Sequence, residues 1–299
     1  MSRFFKILGG FLLVVVVLAA GGYAAAYVSS NRALHKTYVV SPRPVAIPSG
    51  ADVVVRGKHL AETRGCVDCH GKDLAGGKVI DDGAMGRLFG PNLTRGVGGR
   101  AANFGDEDWV RAIRHGVGPD KLGLFIMPSE EYSHLSDEDL GALVAYLKTL
   151  PAVNRDREPT SLGPVSRVLL ATGKIKLSAE TIDHAHVRPL SVPMGVTVEY
   201  GRYLSASCMG CHGPNFSGGK IDVGPPDWPL AANLTPHAEG HLSKWSEADF
   251  VKTLQTAKRP DGTELNPVMP RGFGQMNETE LKALWAFFKS LPPVAQGTR

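Results

Sequence analysis

The chain has 299 residues, 43% of them hydrophobic, with a formal charge of +4 and four cysteines. That length accommodates more than one compact domain. Five basic residues and no acidic one fall in residues 1–50, so the charge excess belongs to the N-terminus, and the nearly neutral remainder carries no nucleic-acid footprint.

Arg3 and Lys6 precede an uncharged run over residues 7–28. At about 1.5 Å per residue it is long enough to cross a bilayer and longer than the usual core of a signal peptide. Residues 1–28 are therefore read as a retained membrane anchor. The competing reading is cleavage at the small-residue run Ala24, Ala25, Ala26. Both readings export residues 29 onward, and the anchor reading sets them on the periplasmic side of a bacterial cytoplasmic membrane. Tyr23 and Tyr27 stand at the outer end, where aromatic side chains serve as interfacial anchors. Residues 29–50, with Pro42, Pro44 and Pro48, read as an extended tether.

From residue 51 to 151 the pattern is that of a helical domain. An opening helix carries Gly57, and Cys66-Val67-Asp68-Cys69-His70 comes after it. The next stretch is rich in Gly, Pro and Asn, as expected where backbone wraps a group that supplies much of the core. A helix is predicted from Asp106 and Glu107 through Trp109, Val110 and Ile113. After Met127-Pro128, a closing helix begins at Ser136 and Asp137, carries Leu140, Leu143, Val144 and Leu147 at helical spacing, and stops before Pro151.

Residues 152–198 are a connector longer than a simple linker needs. It holds a short apolar helix over 165–171 and is expected to pack across both neighbours, since a structureless loop of that length is unusual in a compact protein. His184 and His186 within it could bind metal, although an interface or surface role is the plainer reading.

Residues 199–299 then repeat residues 51–151. Asn92-Leu93-Thr94 matches Asn233-Leu234-Thr235, Asp108-Trp109-Val110 matches Asp249-Phe250-Val251, and Tyr146-Leu147-Lys148 matches Phe287-Phe288-Lys289, each at an offset of 141. Cys208-Met209-Gly210-Cys211-His212 repeats the pentad, and Met269-Pro270 repeats Met127-Pro128 at an offset of 142. Two equivalent modules are framed by this duplication.

The pentads decide the chemistry. A Cys-x-x-Cys pair alone also suits zinc or dithiol redox work, but neither explains the adjacent histidine. In Cys-x-x-Cys-His the two thiols add across the vinyl groups of haem and the histidine ligates iron from the proximal side. Cys66, Cys69, Cys208 and Cys211 are thus the expected thioether attachments of two covalent haem c groups, with His70 and His212 as iron ligands. For the sixth position the candidates are Met127 and Met269, each 57 residues after its histidine. His115 and His134 are the competing ligands in the first module, but the repeat keeps neither residue type. The proximal histidine also needs an acceptor for its second ring nitrogen. Pro91 O is a candidate in the first module, where the second has Ala232 instead, and Asn92, Asn233 and Trp109 are either propionate ligands or turn and core residues.

On these residues each module resembles a class I cytochrome c domain, and the whole resembles a membrane-anchored dihaem cytochrome c. The resemblance implies an all-α fold of tandem duplicated domains with an N-terminal transmembrane helix. It also implies a contact of opening and closing helices in each module, for which Gly57 with Tyr146 and Gly201 with Phe287 are the matching candidates. With both axial positions filled, such haems pass single electrons, and no catalytic residue is assigned. The expected role is electron transfer from a membrane or periplasmic dehydrogenase or quinol oxidase to a downstream cytochrome or terminal oxidase. The alternatives are a peroxidase-like or thiosulfate dehydrogenase-like dihaem enzyme, or a fixed cytochrome subunit of a membrane-bound dehydrogenase complex. No spare cysteine supports the thiosulfate reading, and the equal Met-Pro spacing weakens the peroxidase.

Overall fold

The computed structural model describes residues 3–156, 158–221 and 228–298; the expected outer bounds at residues 1 and 299 lie outside them. The first element, α1 (Arg3–Leu34), is a 32-residue helix, apolar and long enough to cross a membrane. It continues past the expected bound at residue 28 because its last turns have a partner. The connector helix α7 (Pro164–Ala171) packs against it, with the Arg167 guanidinium 3.9 Å from the centre of the Tyr27 ring and 3.1 Å from Ser30 Oγ. The segment after α1 is docked on the first module. Tyr38 N donates to Lys121 O at 2.8 Å, Val45 and Ile47 join the first core, and a Cβ on Gly141 would collide with Ala46 O.

The first module consists of α2 (Ala51–Thr63), α3 (Cys66–His70), α4 (Asp106–His115), α5 (Ser129–Tyr132) and α6 (Asp137–Thr149). Ser136 caps α6 by accepting from Asp139 N at 3.1 Å, satisfying one of the amides a helix start leaves open. A small antiparallel sheet, unforeseen in the sequence, runs β1 (Gly77–Asp82), β2 (Gly86–Gly90), β3 (Ser161–Leu162), with Asp82 opposite Gly86. Its turn is made locally: Asp82 Oδ1 accepts from Ala84 N at 2.8 Å and Met85 N at 2.6 Å, and Gly86 has a φ of 111°.

After α8 (Ser178–Thr181), the second module has α9 (Val198–Leu204), α10 (Met209–His212), α11 (Glu247–Thr256) and α12 (Glu278–Ser290). Asn277 and Glu280 close a capping box on α12, as Ser246 and Asp249 do on α11. In both modules the opening helix crosses the closing helix at a glycine. A Cβ on Gly57 would strike Ala142 O and Tyr146 Cβ, and one on Gly201 would strike Ala283 O and Phe287 Cβ. Those are the pairs the family resemblance implied.

Each module has its own hydrophobic core, and Tyr203 packs against both. The interface between them is reciprocal, as in an isologous dimer. Tyr203 of α9 reaches the start of α6, donating to Asp139 Oδ2 at 2.5 Å and accepting from Ser136 N at 3.1 Å. Its repeat counterpart, His59 of α2, reaches the start of α12 and donates to Glu280 Oε2 at 2.7 Å. Asp139 and Glu280 are themselves equivalent, both at the third position of a closing helix. The same exchange recurs nearby. The turn Arg271–Gln275 sits against α2 at Glu62, while α5 sets Glu131 against Gly210. The connector helps to fix this pose: Pro189 O and Leu190 O accept from Asp137 N and Glu138 N, and Val192 packs on the second core.

Candidate functional site

Each pentad histidine closes a short helix, Cys66–His70 and Met209–His212, followed by a glycine at positive φ, Gly71 at 79° and Gly213 at 80°. That left-handed turn suits glycine because it has no Cβ to clash. It directs the chain into a loop that comes back under the histidine. His70 Nδ1 donates to Pro91 O at 2.8 Å and His212 Nδ1 donates to Ala232 O at 2.7 Å. A carbonyl can only accept, so the proton sits on Nδ1 in both rings, and Nε2 carries the lone pair a metal takes. Burial also holds His70 below the usual imidazole range, in its neutral form.

Two cavities lie over these histidines. The first has a volume of about 490 Å³ and is lined by Cys66, Cys69, His70 and Met127, with Trp109, Leu143 and Tyr132 among its walls. The second, of about 360 Å³, is lined by Cys208, Cys211, His212 and Met269, with Phe250, Leu284 and Phe288. The chain thus brings together in each module the four residues singled out from sequence, although the methionine stands 57 positions from its histidine. Both volumes lie in the range of about 300–1,000 Å³ typical of sites for small ligands and cofactors.

The walls fit a large apolar group held by sulfur and nitrogen. Burial pushes the Cys66 and Cys208 thiols up to about 12 and raises Cys69. Thiols so held are uncharged. Among the described residues no three His, Cys, Asp or Glu side chains converge on a metal-sized point. His115 and His134, the competing ligands, line neither cavity. His115 instead meets His184 of the connector, Nδ1 to Nδ1, at 3.0 Å. His184 Nε2 donates to Ala179 O at 3.1 Å, so its Nδ1 accepts from His115. That contact is the interface role foreseen for His184.

Asn92 and Asn233 have a shared task that sequence left open. Asn92 Nδ2 donates to Val153 O at 2.8 Å, Asn233 Nδ2 donates to Val294 O at 2.7 Å, and each Oδ1 accepts the amide of the threonine two residues on. Both asparagines tie the cavity loop to the strand of chain leaving the closing helix. Trp109 packs edge-on to Phe104 at 4.9 Å, and its repeat counterpart Phe250 lines the other cavity. The shared feature is the aromatic wall. The reciprocal polar pairs of the interface went unnoticed in the sequence; the signal that could have found them is that His59, Tyr203, Asp139 and Glu280 are polar at equivalent repeat positions.

A family model described as Cytochrome c matches residues 54–151 and 198–292. Similar proteins include the fructose dehydrogenase cytochrome subunit of Gluconobacter japonicus, 27% identical over 81% of this chain and 53% of that protein. The alcohol dehydrogenase (quinone) cytochrome c subunit of Gluconobacter oxydans (strain 621H) is 23% identical over 82% of this chain and 56% of that protein. A diheme cytochrome c-type protein of Cereibacter sphaeroides is 27% identical over 80% and 86% respectively. The chain spans about half the length of the first two relatives.

Proposed function

This chain belongs to the cytochrome c family, and on that premise we propose that it is the electron-transferring cytochrome subunit of a membrane-bound dehydrogenase. The observation that carries the reading is the matched lining of the two cavities: each holds both cysteines and the histidine of its pentad together with the methionine 57 residues on, and His241 stands on the wall of the second as well. In this reading Cys66, Cys69, Cys208 and Cys211 hold two haem c groups, and His70 with Met127 and His212 with Met269 are the axial ligands. Haem c bound in this way supplies a one-electron iron couple, and thioether ligation raises its potential.

The chain's own contribution is positional. Pro91 O and Ala232 O fix the histidine tautomer. The apolar walls exclude water, and the reciprocal interface keeps the two sites at one separation. With Met127 and Met269 as the sixth ligands, no position on iron would be left for a substrate, which favours a relay over a peroxidase. The relatives named as cytochrome subunits of fructose, alcohol and gluconate dehydrogenases favour a fixed complex over a free carrier. The upstream donor would then be a dehydrogenase of alcohols, sugars or sugar acids, with α1 holding the modules to the outer face of the membrane.

The test is to solubilise membranes, capture the tagged full-length chain and identify the oxidoreductase that comes with it. The captured complex is then given fructose, ethanol or gluconate while the reduced haem α-bands are followed. Stoichiometric co-purification and substrate-driven reduction support the reading. A chain recovered alone, yet able to reduce an oxidase directly, would overturn the fixed-subunit role.

A further inference from the structure

Arg64 lies between the two pentads, two residues before Cys66. Its side chain is 4% exposed. The Nη1 atom is buried with no hydrogen-bond partner, and Nη2 is 3.9 Å from Glu280 Oε1 of the second module. Its backbone is held from the first module, where Tyr132 Oη donates to Arg64 O at 3.0 Å. A buried donor left unsatisfied costs about 1–3 kcal/mol, more in a charged group, so stability does not account for keeping an arginine here.

Its position is the informative part. Arg64 stands two residues before Cys66, and Tyr132, which holds its carbonyl, belongs to α5, which packs against Ser205–Cys208 of the second module; in keeping with that placement, the Arg64 charge pulls both the Cys66 and the Cys208 thiol down against the larger effect of burial. One cation therefore stands near the first attachment cysteine of both modules. The reciprocal interface would call for a second cation two residues before Cys208, and that position is Ala206. The neighbouring acids do not cancel Arg64. Glu280 divides its carboxylate among His59, Asn277 N and Arg64. Glu131, set against Gly210, is pushed by burial up to about 8 and is mostly protonated at neutral pH.

We propose that Arg64 is a shared tuning residue: one buried cation at the module interface that raises the reduction potentials of both haem sites together. A positive charge in a low-dielectric interior favours the less positive, reduced iron. The inference rests on the dihaem reading above, and the experiment separates the two. Covalent haem is counted first, by the pyridine haemochrome of the purified full chain. Fewer than two per chain would sink the dihaem reading itself.

With two present, potentiometric titration compares the unmutated chain with Arg64→Gln, Arg64→Lys and Glu280→Gln. Arg64→Gln is expected to shift both midpoints downward by similar amounts, and Arg64→Lys to restore most of the loss in both. Glu280→Gln removes an anion beside the same guanidinium and is expected to shift both midpoints upward. If Arg64→Gln fails to assemble, Glu280→Gln decides. In Arg64→Gln or Glu280→Gln, movement of one midpoint alone, or of neither, overturns the shared role.

Discussion

The second cavity, at about 360 Å³, would cost about 9 kcal/mol as a void, and the first, at about 490 Å³, about 12 kcal/mol, at roughly 24 cal/mol per Å³. A single domain has a net stability of about 5–15 kcal/mol, so these upper bounds, reached only by a dry void, are comparable with the whole stability of a module, and losing the group that fills the cavity is expected to loosen its fold. The perturbation is the triple substitution Cys208→Ala, Cys211→Ala, His212→Ala, which on the proposed reading removes the covalent and proximal holds of the second module and leaves the first untouched. The expected outcome is local: residues 199–298 lose protected structure while the first module keeps its haem and its amides. Hydrogen exchange read by mass spectrometry, with the haem count as control, resolves the two regions. α12, whose Leu281, Leu284 and Phe288 are at most 2% exposed, is the reporter. If α12 amides stay as protected as in the parent chain with one haem missing, the prosthetic group is not part of that core and the reasoning fails.

Replacing Met127 is expected to lower one midpoint and leave the other nearly unchanged, with Met269 doing the converse; titration of each variant checks it, and a Met127 variant that moves both equally would contradict separate sites. Glu131 binds a proton more tightly folded than unfolded, so its contribution to stability falls as pH rises from the usual carboxylate range, near 4.5, to about 8. Glu131→Gln should flatten the decline of Tm across that window, and an unchanged slope would count against a buried carboxyl there. His115 shows the opposite sign. Burial first, then the charges of His184 and nearby arginines, depress it to about 4, so stability is expected to fall as pH drops below about 6.5 toward 4. His115→Asn should blunt that loss, read as a smaller drop in Tm between pH 6.5 and 4.

Much of the local architecture was written in the chain because it depends on neighbours in sequence. The pentads, the capping signals at Ser136 and Asn277, the periodic Leu140, Leu143, Val144 and Leu147, and the apolar run 7–28 all act within a few turns of one helix. The duplication extended that legibility to the methionines, since equal spacing in two copies identifies residues far from the pentad. α1 runs on to Leu34 with its last turns held by Arg167, 140 residues away from Tyr27. The sheet at residues 77–90 was missed because strand pairing set by an aspartate turn leaves no alternating apolar pattern.

By itself the sequence determined the two modules, their Cys-x-x-Cys-His pentads and the paired Met-Pro positions, because motif and helical periodicity are properties of residue type and spacing. Tertiary structure alone decided that Pro91 and Ala232 orient the histidines, that His115 faces His184 instead of a cavity, and that His59 and Tyr203 exchange partners across a reciprocal interface. It also buried one arginine, Arg64, at the module interface between Tyr132 and Glu280. Those relations depend on distances between segments far apart in the chain, and such distances are fixed only when both cores are packed and docked.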